Sequence, residues 1–134
     1  MCIVPDARSG PITILVVEDE PAVREIVVRF LSLGGFTTLE AATLEEALRV
    51  GLRHSGRVDG VLLDVGVLFF DGMRWVDQLR AAHPEARLLY CSGYPRADLE
   101  ASGVLPPDAT FLAKPMILKT LCATVREFLA PPSA

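Results

Sequence analysis

The chain has 134 residues, a formal net charge of −4 at pH 7, and 51% hydrophobic against 22% charged residues. This size and composition predict one globular domain and exclude a disordered chain. The uncharged stretches are shorter than the ~20 residues of a membrane span, and an acidic chain lacks the basic surface that nucleic acids bind, so we expect neither a membrane nor a nucleic-acid partner.

The cysteines and the first residues indicate where the protein works. Cys2, Cys91 and Cys122 are odd in number and lack metal-site spacing, which argues against a disulfide framework and a zinc site. Residues 1–11 lack the basic start and apolar run of a signal peptide. We therefore expect a cytoplasmic protein.

Short apolar runs alternate with helical patterns along the chain. A run of mostly β-branched residues at 12–17 predicts a strand buried on both faces. Helical spacing begins at Pro21 and ends at Gly34-Gly35, and Thr43 followed by Glu46 predicts a capped helix start. The remaining predicted elements are strands at 36–40, 58–63, 86–91 and 110–113, and helices from 43 to about 53, from 71 or 72 to about 83, at 95–102 and at 117–129.

This alternation of five strands with five helices predicts an α/β fold with a parallel sheet covered on both faces. Right-handed crossovers leave few topologies, and we expect the flavodoxin-like doubly wound sheet with strand order 2-1-3-4-5. In such folds the site lies at the carboxyl ends of strands 1 and 3. We expect this domain to occupy residues 12–130, between tails at 1–11 and 131–134.

Acidic residues stand at both of these strand ends. Glu18, Asp19 and Glu20 end the first strand, and Asp64 ends the third. Two carboxylates ~4 Å apart repel by roughly 4 kcal/mol at an effective dielectric of about 20, which a cation would relieve, and carboxylate oxygens suit Mg²⁺. The alternatives are that Glu18 and Asp19 only favour the positive end of a helix, and that Asp64 is a turn residue.

Two further strand ends carry groups that complement these carboxylates. Ser92-Gly93 offers a hydroxyl and a backbone N–H, and Lys114 offers an ammonium, although each is an ordinary feature when taken alone. Together with a metal they would stabilise a phosphoryl group, because phosphoryl transfer depends on positioning and charge neutralisation. We therefore predict that Asp64 is a nucleophile that forms an aspartyl phosphate.

The sequence resembles the receiver domain of two-component response regulators over about residues 12 to 130. Five segments carry the resemblance, in the order and spacing of that family: LVVEDE at 15–20, LLDV at 62–65, DGM at 71–73, SGY at 92–94 and FLAKP at 111–115. The resemblance implies that Asp64 is the phosphoacceptor. It also implies that Asp19 binds Mg²⁺ directly, Glu18 through water, and Gly66 through its backbone carbonyl.

The same resemblance implies how the site responds to phosphorylation. Ser92 is expected to turn toward the phosphoryl oxygens, and Lys114 to pair with the phosphate, aimed inward by a cis bond to Pro115. Phe111 occupies the position of the switch aromatic residue, which moves inward when Ser92 moves.

Three features depart from the family's pattern. Leu68 stands where receivers often carry proline, in an apolar loop over 66–70. We expect Leu68 or Phe70 to pack beneath this loop, the alternative being an exposed docking patch at 67–70. Phe111 lacks a tyrosine hydroxyl, so its switch would rest on packing. Gly103 and Pro106-Pro107 break the fourth helix, which argues against the family's usual dimer face.

We therefore predict a phosphorylation-dependent signalling domain that catalyses only its own phosphorylation and dephosphorylation. The expected partners are a histidine kinase or a histidine phosphotransfer protein and a downstream protein target, with the chain itself a monomer or weak homodimer. It is either a stand-alone receiver or a piece of a hybrid histidine kinase.

Other functions on this fold are less consistent with the residues. A haloacid-dehalogenase-like phosphatase needs a second acid two residues after its nucleophile, where this chain has Gly66. A flavodoxin needs a Ser/Thr/Gly-rich phosphate loop after the first strand, where this chain is acidic. The remaining alternative is a receiver-like interaction module that is not phosphorylated, but such domains usually lose an acid or the lysine.

Overall fold

The computed structural model describes residues 12–69, 72–103, 105, 109–114 and 117–129, with residues 69, 72 and 73 described by their backbone alone. The strands are β1 (Thr13–Val17), β2 (Thr37–Ala41), β3 (Gly60–Asp64), β4 (Arg87–Ser92) and β5 (Thr110–Ala113). The helices are α1 (Pro21–Leu33), α2 (Leu44–Arg53), α3 (Gly72–Ala82), α4 (Arg96–Ala101) and α5 (Leu118–Leu129), with a 3₁₀ turn over Val65–Phe69 between β3 and α3.

The five strands form one parallel sheet in the order β2-β1-β3-β4-β5. This order and the five helices confirm the predicted doubly wound fold. No helix in the described part of the chain combines the length and apolar character that a membrane crossing requires.

The central strand β1 is buried on both faces, as its apolar run predicts. Leu15 and Val17 belong to a core cluster that includes residues of α2, α3 and α4. Ile14 and Val16 point to the opposite face and join a second cluster with residues of α1 and α5. Because successive side chains of a strand alternate between faces, a continuous apolar run fits a sheet with helices on both sides.

The ends of α1 and α2 follow the predicted signals. Gly35 adopts φ 92° after α1, and the Phe36 N–H donates to the Leu31 carbonyl at 3.0 Å, which is the pattern of a glycine-ended helix. At the start of α2, the Glu46 N–H donates to Thr43 Oγ1 at 3.1 Å. The Glu46 carboxylate accepts from the Ala42 N–H at 3.0 Å, one residue before the position that a capping box uses.

Several predicted boundaries are off by a residue or two. Strands β2, β3 and β4 all end one residue later than predicted, so Asp64 and Ser92 are the last residues of strands rather than the first residues of loops.

Ile26 and Leu52 share the helical spacing of buried residues, yet they are 52% and 65% exposed. The faces of α1 and α2 that contact the sheet are narrower than their apolar patterns.

Some predictions fall on parts of the chain that the structure leaves undescribed. These are the two tails, residue 130, Phe70, Asp71, Pro106-Pro107 and Pro115, so the cis bond expected at Pro115 stays a prediction. Gly103, with φ 79°, does follow the short helix α4 as predicted.

Candidate functional site

Three carboxylates meet where β1 and β3 end. Val17 of β1 pairs with Leu63 of β3, so Glu18 and Asp64, the next residue of each strand, lie side by side. Carboxylate oxygens of Glu18, Asp19 and Asp64 lie within 4.8 Å of one another. Glu18 and Asp64 are buried, whereas Asp19 is exposed. The sheet topology thus brings together acids that are 46 positions apart in sequence.

Lys114 extends into this cluster from the end of β5. Its backbone N–H donates to the Ser92 carbonyl at 2.9 Å, which continues the pairing of β4 with β5. Its Nζ donates to Asp64 Oδ1 at 2.8 Å and also to Glu18 Oε1. One ammonium therefore bridges the two buried carboxylates.

The charges of the cluster are not balanced. Burial raises the pKa of Glu18, the hydrogen bond from Lys114 opposes this rise, and the nearby Asp64 charge adds to it. Burial alone would lower the pKa of Lys114, but its hydrogen bonds to Asp64 and Glu18 outweigh burial and raise that pKa. Among the described residues of the cluster, three carboxylates against one ammonium leave a formal excess of two negative charges. Clustered carboxylate oxygens with this excess fit a hard divalent cation.

Gly66 lies directly against the phosphoacceptor candidate. Its backbone N–H donates to Asp64 Oδ2 at 3.1 Å, a contact that sequence reasoning did not anticipate. A Cβ atom at Gly66 would lie 2.7 Å from that oxygen, closer than real Cβ atoms approach. A glycine two residues after Asp64 thus allows the backbone to fold back over the carboxylate.

Ser92 and Phe111 flank the acidic cluster on β4 and β5. Ser92 is 4% exposed, and its Oγ accepts a hydrogen bond from the Tyr94 N–H at 3.0 Å. Phe111 is half-buried, pairs in register with Tyr90, and packs against the core cluster that contains α2 and α3 residues. In this state the serine hydroxyl is held by the β4–α4 turn.

Cys91, which precedes Ser92 on β4, carries a buried thiol. It is 3% exposed, and burial raises its pKa to about 12, although the Lys114 charge acts in the opposite direction. The thiol is therefore protonated near neutral pH, and Cys91 contributes to the core cluster that includes α1 and α5 residues.

Val67 and Leu68, two of the apolar residues after Asp64, face inward. Val67 is 7% exposed and belongs to the core, and Leu68 is half-buried against the same cluster. This confirms that Leu68 packs beneath the loop, and it argues against an exposed docking patch at these two residues. Phe70, the other candidate, is among the undescribed residues.

Arg24 is a contact of the site that the sequence did not reveal. From the first turns of α1, its Nη1 donates to the Glu18 carbonyl at 2.8 Å, and its Nε lies 3.4 Å from Glu40 Oε1. The available signal was its position, four residues after Glu20 on the helix that the acidic segment opens. The sequence alone does not indicate whether the Arg24 side chain points back toward Glu18 or into solvent.

Comparison with known proteins identifies the family. The family model described as "Response regulator receiver domain" matches residues 14–126. This chain belongs to that family. It is therefore a receiver domain of two-component systems, as its motifs indicate.

Among curated relatives, the receiver is 43% identical over 123 residues to the sensor kinase CckA of Brucella abortus. That match covers 90% of this chain but 13% of CckA. It is 34% identical over 119 residues to the response regulator MprA of Mycolicibacterium vanbaalenii, covering 89% of this chain and 51% of MprA. The chain thus spans about half or less of these two relatives.

Solved structures agree with the fold. A crystal structure of the receiver domain from the hybrid histidine kinase CckA superposes with a TM-score of 0.70 at 35% identity, covering 88% of this chain and 99% of that one. The Vibrio cholerae chemotaxis protein CheY4 gives a TM-score of 0.72 at 26% identity, covering 90% and 100%.

Proposed function

We propose that this receiver accepts a phosphoryl group on Asp64, in a Mg²⁺-dependent reaction, from the phosphohistidine of a histidine kinase or histidine phosphotransfer protein. The observation that carries the proposal is the Asp64 carboxylate, which accepts a hydrogen bond from Lys114 and lies within 4.8 Å of Glu18 and Asp19 oxygens. The similarity of this chain to proteins named as a sensor kinase and a response regulator supports a histidine kinase or phosphotransfer protein as the phosphoryl donor.

The acidic cluster supplies the metal site. Mg²⁺ held by Glu18, Asp19, Asp64 and the Gly66 carbonyl would neutralise charge on the transferring phosphoryl group. The closeness of the carboxylate oxygens supports this assignment, because one small cation can reach all three side chains.

The transfer exchanges one bond to phosphorus for another. An Asp64 oxygen attacks the phosphorus, the O–P bond forms as the N–P bond to the imidazole breaks, and the imidazole nitrogen takes up a proton. Lys114, already hydrogen-bonded to Asp64, is placed to pair with the phosphoryl oxygens. Hydrolysis reverses the modification when a water oxygen attacks phosphorus, the bond to Asp64 breaks and inorganic phosphate leaves.

Phosphorylation then changes the conformation of residues on β4 and β5. The Ser92 hydroxyl leaves the Tyr94 N–H and donates to the phosphoryl group, and the half-buried Phe111 ring moves further inward. The changed surface binds a downstream protein differently. The chemistry of the domain is in this proposal confined to its own phosphorylation and dephosphorylation.

Acetyl phosphate, a small acyl phosphate, tests the proposal without a partner. We expect incubation with acetyl phosphate and Mg²⁺ to add one phosphoryl group, seen by intact-protein mass spectrometry, and EDTA to prevent it. Asp64→Asn should remove the adduct, whereas Asp77→Asn, at an exposed position of α3, should keep it.

A different result would favour the alternative function. A wild-type protein that binds Mg²⁺ yet forms no adduct would indicate an interaction module that is not phosphorylated. An adduct that persists in Asp64→Asn would place the modification on another residue and contradict the proposal.

A further inference from the structure

Arg24 ties the metal-binding segment to two other elements. Its guanidinium reaches the Glu18 carbonyl through Nη1 at 2.8 Å and the Glu40 carboxylate through Nε at 3.4 Å. Its backbone N–H donates to the Glu20 carbonyl at 2.9 Å, the first turn of α1. The side chain is 21% exposed, so these contacts are partly shielded from water. One residue thus joins α1, the acidic segment and β2.

The carbonyl that Arg24 holds belongs to the peptide between the two acids. On its other side, the Glu18 N–H donates to the Ala41 carbonyl of β2 at 3.0 Å. These two hydrogen bonds fix the backbone on both sides of the Glu18 side chain. The orientation of the peptide after Glu18 fixes the position of the Asp19 backbone, from which the exposed carboxylate extends. Asp19 is exposed, so its place depends on this backbone as well as on its side-chain contact with Glu18.

The charge of Arg24 acts against metal binding while its position favours it. A guanidinium near an acidic cluster repels an incoming cation, so removing it would strengthen Mg²⁺ binding if charge were the whole effect. The adjacent Glu40 carboxylate offsets this repulsion. Partners that orient metal ligands commonly matter as much as the ligands' own chemistry. The two effects therefore predict opposite signs for the same substitution.

We propose that Arg24 is a positioning residue for the Mg²⁺ site, acting through the peptide that joins Glu18 to Asp19. This inference rests on the proposed function, because it requires that the acidic cluster binds Mg²⁺. Arg24 itself contacts neither the metal nor the phosphoryl group in this proposal.

Isothermal titration of the full chain with MgCl₂ tests the inference directly. We expect Arg24→Gln to weaken Mg²⁺ binding by about tenfold, the lower end of what loss of an orienting partner causes. Arg24→Lys keeps the charge and one donor, so its affinity should lie between those of the wild type and Arg24→Gln. Arg29→Gln is the matched control, because it removes the same charge from an exposed position of the same helix.

Urea unfolding in EDTA separates positioning from folding. We expect Arg24→Gln to remain folded, so that its weaker Mg²⁺ binding reflects the site. If it does not fold, Arg24→Lys carries the test alone, and it should still bind Mg²⁺ measurably more weakly than the wild type.

The outcomes distinguish this inference from the proposed function. Mg²⁺ binding by the wild type with equal or tighter binding by Arg24→Gln would overturn the role of Arg24 alone. Failure of the wild type to bind Mg²⁺ would overturn the metal site itself. If a non-folding Arg24→Gln is accompanied by wild-type affinity in Arg24→Lys, the positioning role is also overturned.

Discussion

The amino end and the carboxyl end of the central strands β1 and β3 each have a buried aspartate beside a cation. The two ends differ in charge balance. At the amino end, Asp59 is 5% exposed, accepts the Thr13 N–H at 2.8 Å through Oδ2, and lies 3.1 Å from Arg57 Nε through Oδ1. At the carboxyl end, Asp64 shares one ammonium, that of Lys114, with Glu18 and lies near Asp19 as well.

This difference separates a structural carboxylate, Asp59, from the proposed phosphoacceptor, Asp64. Asp59 joins two strands, because the Asp59 N–H also donates to the Thr13 carbonyl at 2.9 Å. Among the described residues, the Arg57 guanidinium pairs with its charge. Within the part of the chain that the structure describes, the carboxyl end of the sheet keeps uncompensated negative charge, which costs stability in the absence of a cation and makes the cluster a candidate metal site. Burial and a nearby cation alone therefore do not identify a functional aspartate.

Substitution of Asp59 should destabilise the protein, whereas substitution of Asp64 should not. We expect Asp59→Ala to lower the free energy of unfolding by about 2–4 kcal/mol, because it leaves the buried Thr13 N–H unpaired and removes the partner of Arg57. Asp64→Asn removes one of three crowded charges and should leave that free energy unchanged or raise it by up to about 1 kcal/mol. Urea unfolding in EDTA measures both.

A milder substitution controls for the hydrogen bond at the amino end. Asp59→Asn keeps an acceptor oxygen for Thr13 and should lose less stability than Asp59→Ala. The contrast between the two ends would fail if Asp64→Asn destabilised the protein as much as Asp59→Ala does.

Mg²⁺ should stabilise the protein through the carboxyl end only. At ten times its dissociation constant, we expect Mg²⁺ to raise the free energy of unfolding by about 1.4 kcal/mol, by mass action on the folded state. Asp64→Asn should lose most of this gain at the same Mg²⁺ concentration, whereas Asp59→Asn should keep it. Equal stabilisation of all three proteins would mean that the metal binds elsewhere.

Alkaline pH should weaken the carboxyl end through Lys114. Because contacts with Asp64 and Glu18 raise the pKa of Lys114 above its ordinary value of 10.5, its contribution to stability is complete below that pH. The contribution is lost as pH rises through the raised pKa. In urea unfolding above pH 10.5, Lys114→Gln should therefore flatten the fall in stability, compared with the exposed control Lys119→Gln. Equal slopes for the two variants would contradict this role of Lys114.

The fold was predictable because the burial of a strand determines which of its residues are apolar. A strand covered on both faces must be apolar throughout, so the runs at β1 and β3 predict central strands, and the acids after them predict the site edge. Right-handed crossovers then fix which strand ends are neighbours. The meeting of Glu18 with Asp64 follows from topology and needs no knowledge of side-chain geometry.

The finer contacts were not predictable, because they depend on side-chain direction. Arg24 could point into solvent or back to Glu18 with the same helix pattern, and only packing decides between them. The Gly66 N–H contact to Asp64 depends on the 3₁₀ turn, which no periodicity indicates. The exposure of Ile26 likewise depends on how α1 is rotated against the sheet.

In the proposed function, Asp64 carries the phosphoryl group, and neither Asp19 nor Asp59 does. Borohydride reduction after treatment with acetyl phosphate and Mg²⁺ converts an aspartyl phosphate to homoserine, and peptide mapping then locates it. We predict homoserine at position 64 alone, and only when Mg²⁺ is present. Homoserine at position 19 or 59, or the same product in EDTA, would contradict the account.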